Sequence, residues 1–476
     1  MSTNTQTGSN AYLFSITLVA VLGGLLFGYD TAVISGAEGA LQQFFKSASD
    51  FEYTSLLHGI TSSSALIGCI LGGAISGILA SRLGRRNSLR LASLLFLLSA
   101  LGSYNPEFLF FEHGKASADL LIAFNLYRVL GGIGVGLASA ICPMYIAEIA
   151  PAEKRGQLVS WNQFAIIFGQ LVTYFVNYLI RNNLGDTSEL IQEAMITVGW
   201  RRMFLSECIP AALFGLLLFT VPKTPRFLAM NGNYDGAFRV LSHINGAEKA
   251  KGILQDIKGT LNEKKEKITS YGILVLAVGC LLSFFQQACG INVALYYAPR
   301  IFQQMGASSD AAMLQTIVMG VVNISFTLVA IFTVDKFGRK PLLIIGSIGM
   351  TIGMAALAIL SFCNVIGIST LIFIIVYTAS FMMSWGPICW VMISEIFPNT
   401  IRSQATALAV AVQWIANFAI SSTFPALSNW NVGATYAMYG TFALLSAFFV
   451  WKFVPETKGK TLEDMTALWR NRAKKK

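Results

Sequence analysis

SFFQQACGINVALYY, residues 283–297, lies inside an apolar run that extends from 270 to 299. That run exceeds the ~20 apolar residues an α-helix needs to cross the hydrocarbon core of a bilayer. The stretch nevertheless carries Gln286, Gln287 and Asn292, uncharged amides that offer both donors and acceptors. Unsatisfied polar groups are expensive in hydrocarbon, so these three face protein, water or a ligand. On a straight helix adjacent positions differ by about 100° and i/i+6 by roughly 240°, so they share no stripe. Gly290 permits a local break that would let them converge. On this stretch alone two readings stand level: hydrogen bonding between membrane helices, or a site for a small, neutral molecule with many hydroxyls.

The remainder of the 476 residues has the same character, with 54% hydrophobic and only 12% charged residues. Soluble domains carry roughly 25% charged residues, so the chain is read as a polytopic, all-α membrane protein. Twelve apolar runs are long enough to span: 12–35, 55–80, 88–105, 119–149, 157–181, 200–221, 270–299, 311–334, 341–363, 369–396, 404–425 and 435–454. The leading MSTNTQTGSN contains no Lys or Arg, so the first run is expected to remain as a helix and not to be cleaved as a signal. The seven cysteines lie in apolar runs without paired spacing, and no His, Cys and carboxylate cluster has the spacing of metal ligands.

Basic residues set the orientation. With both termini inside, Arg82, Arg85, Arg86, Arg90, Lys154, Arg155, Lys336, Arg339, Lys340 and Arg402 all fall on the inner side, as do the basic residues of 222–268 and of the tail. This positive-inside bias predicts an N-in/C-in topology. The formal net charge of +10 is then a property of the inner face, directed at anionic lipid and not at nucleic acid. The predicted organisation is a polar tail at 1–11, a six-helix bundle at 12–221, a basic linker of short surface helices at 222–268, a second six-helix bundle at 269–454 and a tail at 455–476.

The two bundles are internal repeats. SRLGRRN (81–87) recurs as DKFGRKP (335–341), AEIAPAEKRG (147–156) as SEIFPNTIRS (394–403), and PKTPR (222–226) as PETKG (455–459). Two halves of the same orientation imply a site at their interface near mid-membrane, exposed alternately to either side by rocking. These motifs, together with QQACGIN, resemble the sugar porter family of the major facilitator superfamily over essentially the whole chain. Two departures from the family pattern stand out: Lys223 where an acid is usual, and Ser403 where glycine usually follows Arg402.

Asp30, in GGLLFGYD, and Arg128, in NLYRVLGG, are ionisable groups within apolar runs. Such residues are expensive there and usually functional. Burial favours the neutral carboxyl and a nearby guanidinium favours the charged one, so movement of Arg128 could load or unload a proton at Asp30. The alternative is a permanent ion pair between helices, and the resemblance favours the proton role. Gln163 and Gln170 lie seven apart on one face. Gly386 and Pro387 are expected to weaken or kink the tenth helix ahead of Trp390, and Gln413 adjoins Trp414. Amides bond sugar hydroxyls and indoles pack on the C–H face of a ring. The resemblance implies that Gln163, Gln170, Gln286, Gln287, Asn292, Trp390, Gln413 and Trp414 line the site, bordered by Phe27, Tyr296, Asn323 and Gly386. Trp430 and Trp451 read as interfacial anchors. Arg85, Glu148, Arg155, Glu207, Arg339, Glu395 and Arg402 are expected to form a latch of weak ion pairs on the inner side.

The resemblance implies proton-coupled uptake of a neutral monosaccharide, D-xylose first and D-glucose as an alternative ligand, by a monomer in a bacterial inner membrane. The proton is the coupling ion and no other cofactor is expected. No nucleophile–base pair or phosphate loop supports an enzyme. An uncoupled facilitator, a hexose–proton symporter and a sugar sensor remain the rival readings.

Overall fold

The computed structural model describes residues 8–108, 112, 114–151, 154–260, 266–365, 367–398, 400–459 and 462–474. Five helices cross in one piece at the start of the chain: α1 (Asn10–Lys46), α2 (Ser55–Arg82), α3 (Arg85–Tyr104), α4 (Ala118–Ile149) and α5 (Arg155–Asn182). The sixth crossing is assembled from α6 (Ser188–Ala194), a π-helical turn at Met195–Gly199, α7 (Trp200–Ser206) and α8 (Cys208–Leu217). Three short helices follow, α9 (Pro225–Met230), α10 (Tyr234–Asn245) and α11 (Ala247–Thr260); part of the expected surface-helix segment, 261–265, lies outside the described residues. The seventh crossing is α12 (Ile273–Ala288), α13 (Ile291–Tyr296) and α14 (Ala298–Gln304), followed by α15 (Ser309–Phe337) and α16 (Arg339–Phe362). The tenth is divided into α17 (Ile368–Met382) and α18 (Trp385–Ile396), and α19 (Arg402–Trp430) and α20 (Val432–Phe453) complete the twelve. The tail adds α21 (Leu462–Lys474), whose Trp469 is fully buried and donates to the Ile396 carbonyl at 2.8 Å.

The third and sixth crossings are not among the stretches long and apolar enough to be recognised as spans by composition. α3 opens with Arg85 and Arg86 and carries Arg90, while the sixth is interrupted at Met195 and at Glu207. The tenth crossing differs from expectation. It breaks at Met383 and Ser384, upstream of Gly386 and Pro387, so the proline falls in the first turn of α18, where its missing N–H costs little. Trp430 and Trp451 are exposed, as interfacial anchors are.

Small residues bring α2 against α4. A Cβ on Gly68 would lie 2.0 Å from the Val129 carbonyl oxygen, and one on Gly132 1.8 Å from that of Ala65, so neither position admits a side chain. The repeats share backbone detail: Gly84 (φ 82, ψ 160) starts α3, and Gly338 (φ 91, ψ 164) starts α16. The halves differ in what covers those starts. Glu456 accepts from the Arg339 and Lys340 N–H groups at 3.1 and 2.9 Å, capping α16. At the matching place before α9 stands Lys223, its Nζ 5.9 Å from the centre of the Phe227 ring that packs on Gly84.

The helix sets of the two repeats meet where α19 lies along α2, α15 along α5, and α13 and α14 against α1. Bonds across this junction include Tyr174 Oη to the Leu295 carbonyl at 3.2 Å, Asn429 to Ser55 at 2.7 Å and an Arg181–Asp310 ion pair. They cluster toward the end where α1 stops and α2 begins, which the charge pattern places outside. Gly59 sits there too, and a Cβ on it would lie 1.8 Å from the Ser422 carbonyl oxygen.

Candidate functional site

Gly290 takes up the left-handed conformation (φ 85, ψ 18), which only glycine adopts readily, and α12 stops there. The break brings the three amides into one relay. Asn292 Nδ2 donates to Gln287 Oε1 at 2.5 Å, Gln287 Nε2 to Gln286 Oε1 at 3.2 Å, and Gln286 Nε2 to the Trp385 and Gly386 carbonyls at 3.0 and 3.3 Å. Helix-to-helix bonding therefore accounts for part of their polarity.

The polar atoms left over lie elsewhere in the predicted set. Gln170 Oε1, Gln413 Oε1, Trp414 Nε1 and Asn323 Oδ1 are buried without a hydrogen-bond partner. An orphaned buried polar atom costs about 1–3 kcal/mol, so three of them in the predicted lining and one at its predicted border call for a ligand or water. Gln163, Asn292, Phe27 and Trp390 are half-buried, and Tyr296 and Gly386 are buried. Asn417, absent from the predicted set, donates to Tyr296 Oη at 3.4 Å.

Four consecutive residues of α1 tie this lining to the charged groups. The Phe27 ring centre is 5.7 Å from that of Trp414. Gly28 abuts the backbone of Ile166 and Gln170, where a Cβ would lie 1.9 Å from the Ile166 oxygen. Tyr29 Oη bonds Ser206 Oγ at 2.7 Å. Asp30 Oδ1 accepts from Arg128 Nη1 at 2.6 Å, and Arg128 Nη2 also reaches the Asp30 carbonyl at 3.1 Å. The pair is sealed from solvent, with side-chain exposures of 2% for Arg128 and 0% for Asp30, and the guanidinium lies 5.0 Å from the centre of the Phe204 ring.

Glu207 corrects the expected latch. It is completely buried, and its carboxyl lies within hydrogen-bonding reach of Asp30 and within the field of Arg128. Asp30 Oδ2 and both Glu207 oxygens lack any donor. Two carboxyls and one guanidinium, closed off from water, are one proton short of neutrality, and a proton shared between Asp30 Oδ2 and Glu207 would satisfy two of the three oxygens. Glu207 is the only acid in the apolar run 200–221, so the argument that singled out Asp30 would also have found it.

The other latch residues form ties within each half. Arg85 Nη2 meets Glu148 at 2.6 Å, and Arg339 Nη2 meets Glu395 at 3.1 Å, with Thr457 Oγ1 donating to the other Glu395 oxygen at 2.6 Å. These matching pairs bind α3 to α4 and α16 to α18, and do not join the two halves. Arg155 is exposed and ion-paired with no described residue, and Arg402 opens α19.

No group of His, Cys, Asp and Glu among the described residues could hold a metal ion. The family model described as "Sugar (and other) transporter" matches residues 16–469. The D-xylose-proton symporter of Escherichia coli (strain K12) is 52% identical, over 99% of this chain and 98% of the relative. The glucose transport protein of a Synechocystis strain is 41% identical, over 98% of this chain and 99% of the relative. The solved inward-open conformation of the xylose transporter XylE from E. coli superposes with a TM-score of 0.85 at 50% identity, covering 96% of this chain and all of that one. With twelve crossings in two repeats, and a match over nearly its whole length, the chain belongs to the sugar transporter family of the major facilitator superfamily.

Proposed function

We propose that the protein carries D-xylose into a bacterial cell together with a proton, as a monomer whose halves, 12–221 and 269–454, rock about a central sugar site. The observation that carries this reading is the α1 segment from Phe27 to Asp30, which touches the lining at Trp414 and Gln170 and the charged trio in successive residues. Movement of the lining on sugar binding therefore reaches Asp30 without an intermediary. The symporter relative supports both the pentose and the proton.

The chemistry follows from charge. Facing out, Asp30 and Glu207 take up one proton from the medium, and their grip on Arg128 loosens. Sugar binds among Gln170, Gln413 and Trp414, whose orphaned atoms supply one acceptor from each half and an indole donor. The halves close at the outer end, the inner end opens, and Arg128 returns to the carboxyls as the proton leaves inward. Coupling requires only that sugar and proton favour the same transition. The Asn292–Gln287–Gln286 relay fixes the far wall and holds α12 to α18. D-Glucose is an alternative occupant, since one hydroxymethyl group changes pocket fit by only about 1–3 kcal/mol.

Purified protein in liposomes, given labelled D-xylose and an imposed inward proton gradient, tests the reading. The expected result is accumulation abolished by a protonophore and competed away by unlabelled xylose more effectively than by glucose, arabinose or galactose. Uptake that only equilibrates, gradient or not, rejects the coupling, and preferential competition by a hexose rejects the pentose.

A further inference from the structure

A second buried ionic cluster sits at the outer end, apart from Asp30. Glu38 on α1 and His58 on α2 are buried, with Nε2 of the imidazole 2.8 Å from Glu38 Oε2. Tyr53, just before α2, faces the other ring nitrogen at 3.2 Å. These groups belong to the first half. Arg300, on α14 of the second half, reaches the same Glu38 oxygen at 3.5 Å and also bonds Gln42 at 3.4 Å and Asn429 at 3.3 Å. Tyr297, at the α13–α14 joint, is the remaining titratable group facing the cluster; its hydroxyl bonds the Ser421 carbonyl at 3.1 Å. From α19 the cluster meets only neutral groups, Asn429 and Ser421.

We propose that Glu38 and His58 form a second proton-binding site, built into the outer gate, in which Arg300 takes the proton's place whenever the gate is shut. With the gate closed, the Glu38 carboxylate is balanced by the Arg300 guanidinium and the imidazole is neutral. Opening carries Arg300 away with its half and leaves a carboxylate–imidazole pair short of one positive charge. A proton from the outer medium restores it by converting the pair to carboxylate–imidazolium. Closing reverses the exchange: Arg300 displaces the proton to the side it came from. This proton is therefore not transported; it biases the carrier toward the outward-open state when the outside is acidic. The site rests on the alternating motion proposed above, but not on the identity of the sugar.

The test measures opening directly, without sugar, in full-length protein in nanodiscs. Spin labels at Leu56 and Leu314, exposed positions on α2 and α15, report the outer separation once exposed Cys363 and half-buried Cys208 and Cys280 are replaced by Ser. Asp30→Asn is the common background, so that titration of Asp30 itself is absent. Between about pH 8 and about pH 5.5, a range spanning ordinary histidine titration, the outward-open fraction should rise. One proton allows at most about a tenfold change in the opening equilibrium per pH unit. His58→Leu should flatten this dependence. Arg300→Met should flatten it too, because the pair can then keep its proton with the gate closed. A slope unchanged in either variant overturns the proposal. Should His58→Leu fail to fold, the partly exposed Arg300 still decides the matter.

Discussion

Replacing Asp30 by Asn and Glu207 by Gln, singly and together, should produce strongly non-additive losses of stability. In Asp30→Asn the amide oxygen can still accept from Arg128 Nη1, the backbone carbonyl of residue 30 still holds Nη2, and Glu207 remains as the guanidinium's counter-charge. The expected cost is about 1–2 kcal/mol, that of weakening one charge-assisted hydrogen bond. In Glu207→Gln the new amide N–H supplies the donor that Asp30 Oδ2 lacks, so the cost should be near zero. The double variant leaves Arg128, 2% exposed, with no anion at all. Breaking a buried pair in that way costs about 3–5 kcal/mol. A coupling of about 2–3 kcal/mol should therefore remain after the single effects are subtracted. Thermal unfolding of the four proteins in one detergent at one heating rate, followed by tryptophan fluorescence, gives the comparison. A double variant whose melting shift equals the sum of the single shifts refutes the shared-charge account of the trio.

Asp30→Asn should also abolish uphill accumulation while counterflow of sugar persists; the proton-motive contribution removed is about 2.3 kcal/mol per 100 mV, about fiftyfold in concentration. Gly59→Leu should prevent outer closure, since even a Cβ there lies 1.8 Å from the Ser422 oxygen; net uptake should fail while external sugar still binds in equilibrium dialysis. Gln287→Ala, which cuts the relay from Asn292 to Gln286, should weaken xylose binding about tenfold to a hundredfold by calorimetry, whereas exposed Leu126→Ala should leave it unchanged. Burial alone would raise the pKa of Glu456, but the backbone N–H groups of Lys458, Lys340, Arg339 and Thr457 pull it below the usual carboxylate range. Its contribution to stability should be complete above the unfolded carboxylate value and vanish as pH falls through the lower folded value. Glu456→Gln and the parent should then differ in melting temperature at pH 7 and converge in acid.

Much of this architecture is legible in the sequence because hydrocarbon enforces simple rules. Apolar length announces the helices, and the basic residues and repeated GRR/GRK motifs announce their orientation and pairing. Amides inside SFFQQACGINVALYY mark the break that Gly290 makes. What escaped has a common cause: it depends on rotation about helix axes and on long-range partners. Glu207 stands out as an acid inside an apolar run, but its partner does not: only the packing of α7 and α8 against α1 brings it to Asp30. Likewise His58 and Arg300 are far apart in the chain, and nothing in their local sequence says that both converge on Glu38. The latch pairs were visible as residues, but spacing alone does not tell a tie within one bundle from a bolt between two.

The unequal corners at the start of α3 and α16 have a mechanical consequence. One corner is anchored by a carboxylate that grips two amides of the helix it faces; the other has an ammonium where that grip would be, next to a helix end that repels cations. Strain applied at the inner face will therefore be absorbed first at the Gly84 corner, with backbone amides of Arg85 and Arg86 exchanging with solvent sooner than those of Arg339 and Lys340. Two copies of one ancestral plan thus become a stiff arm and a yielding one, and a charge reversal at Lys223 should make them equal.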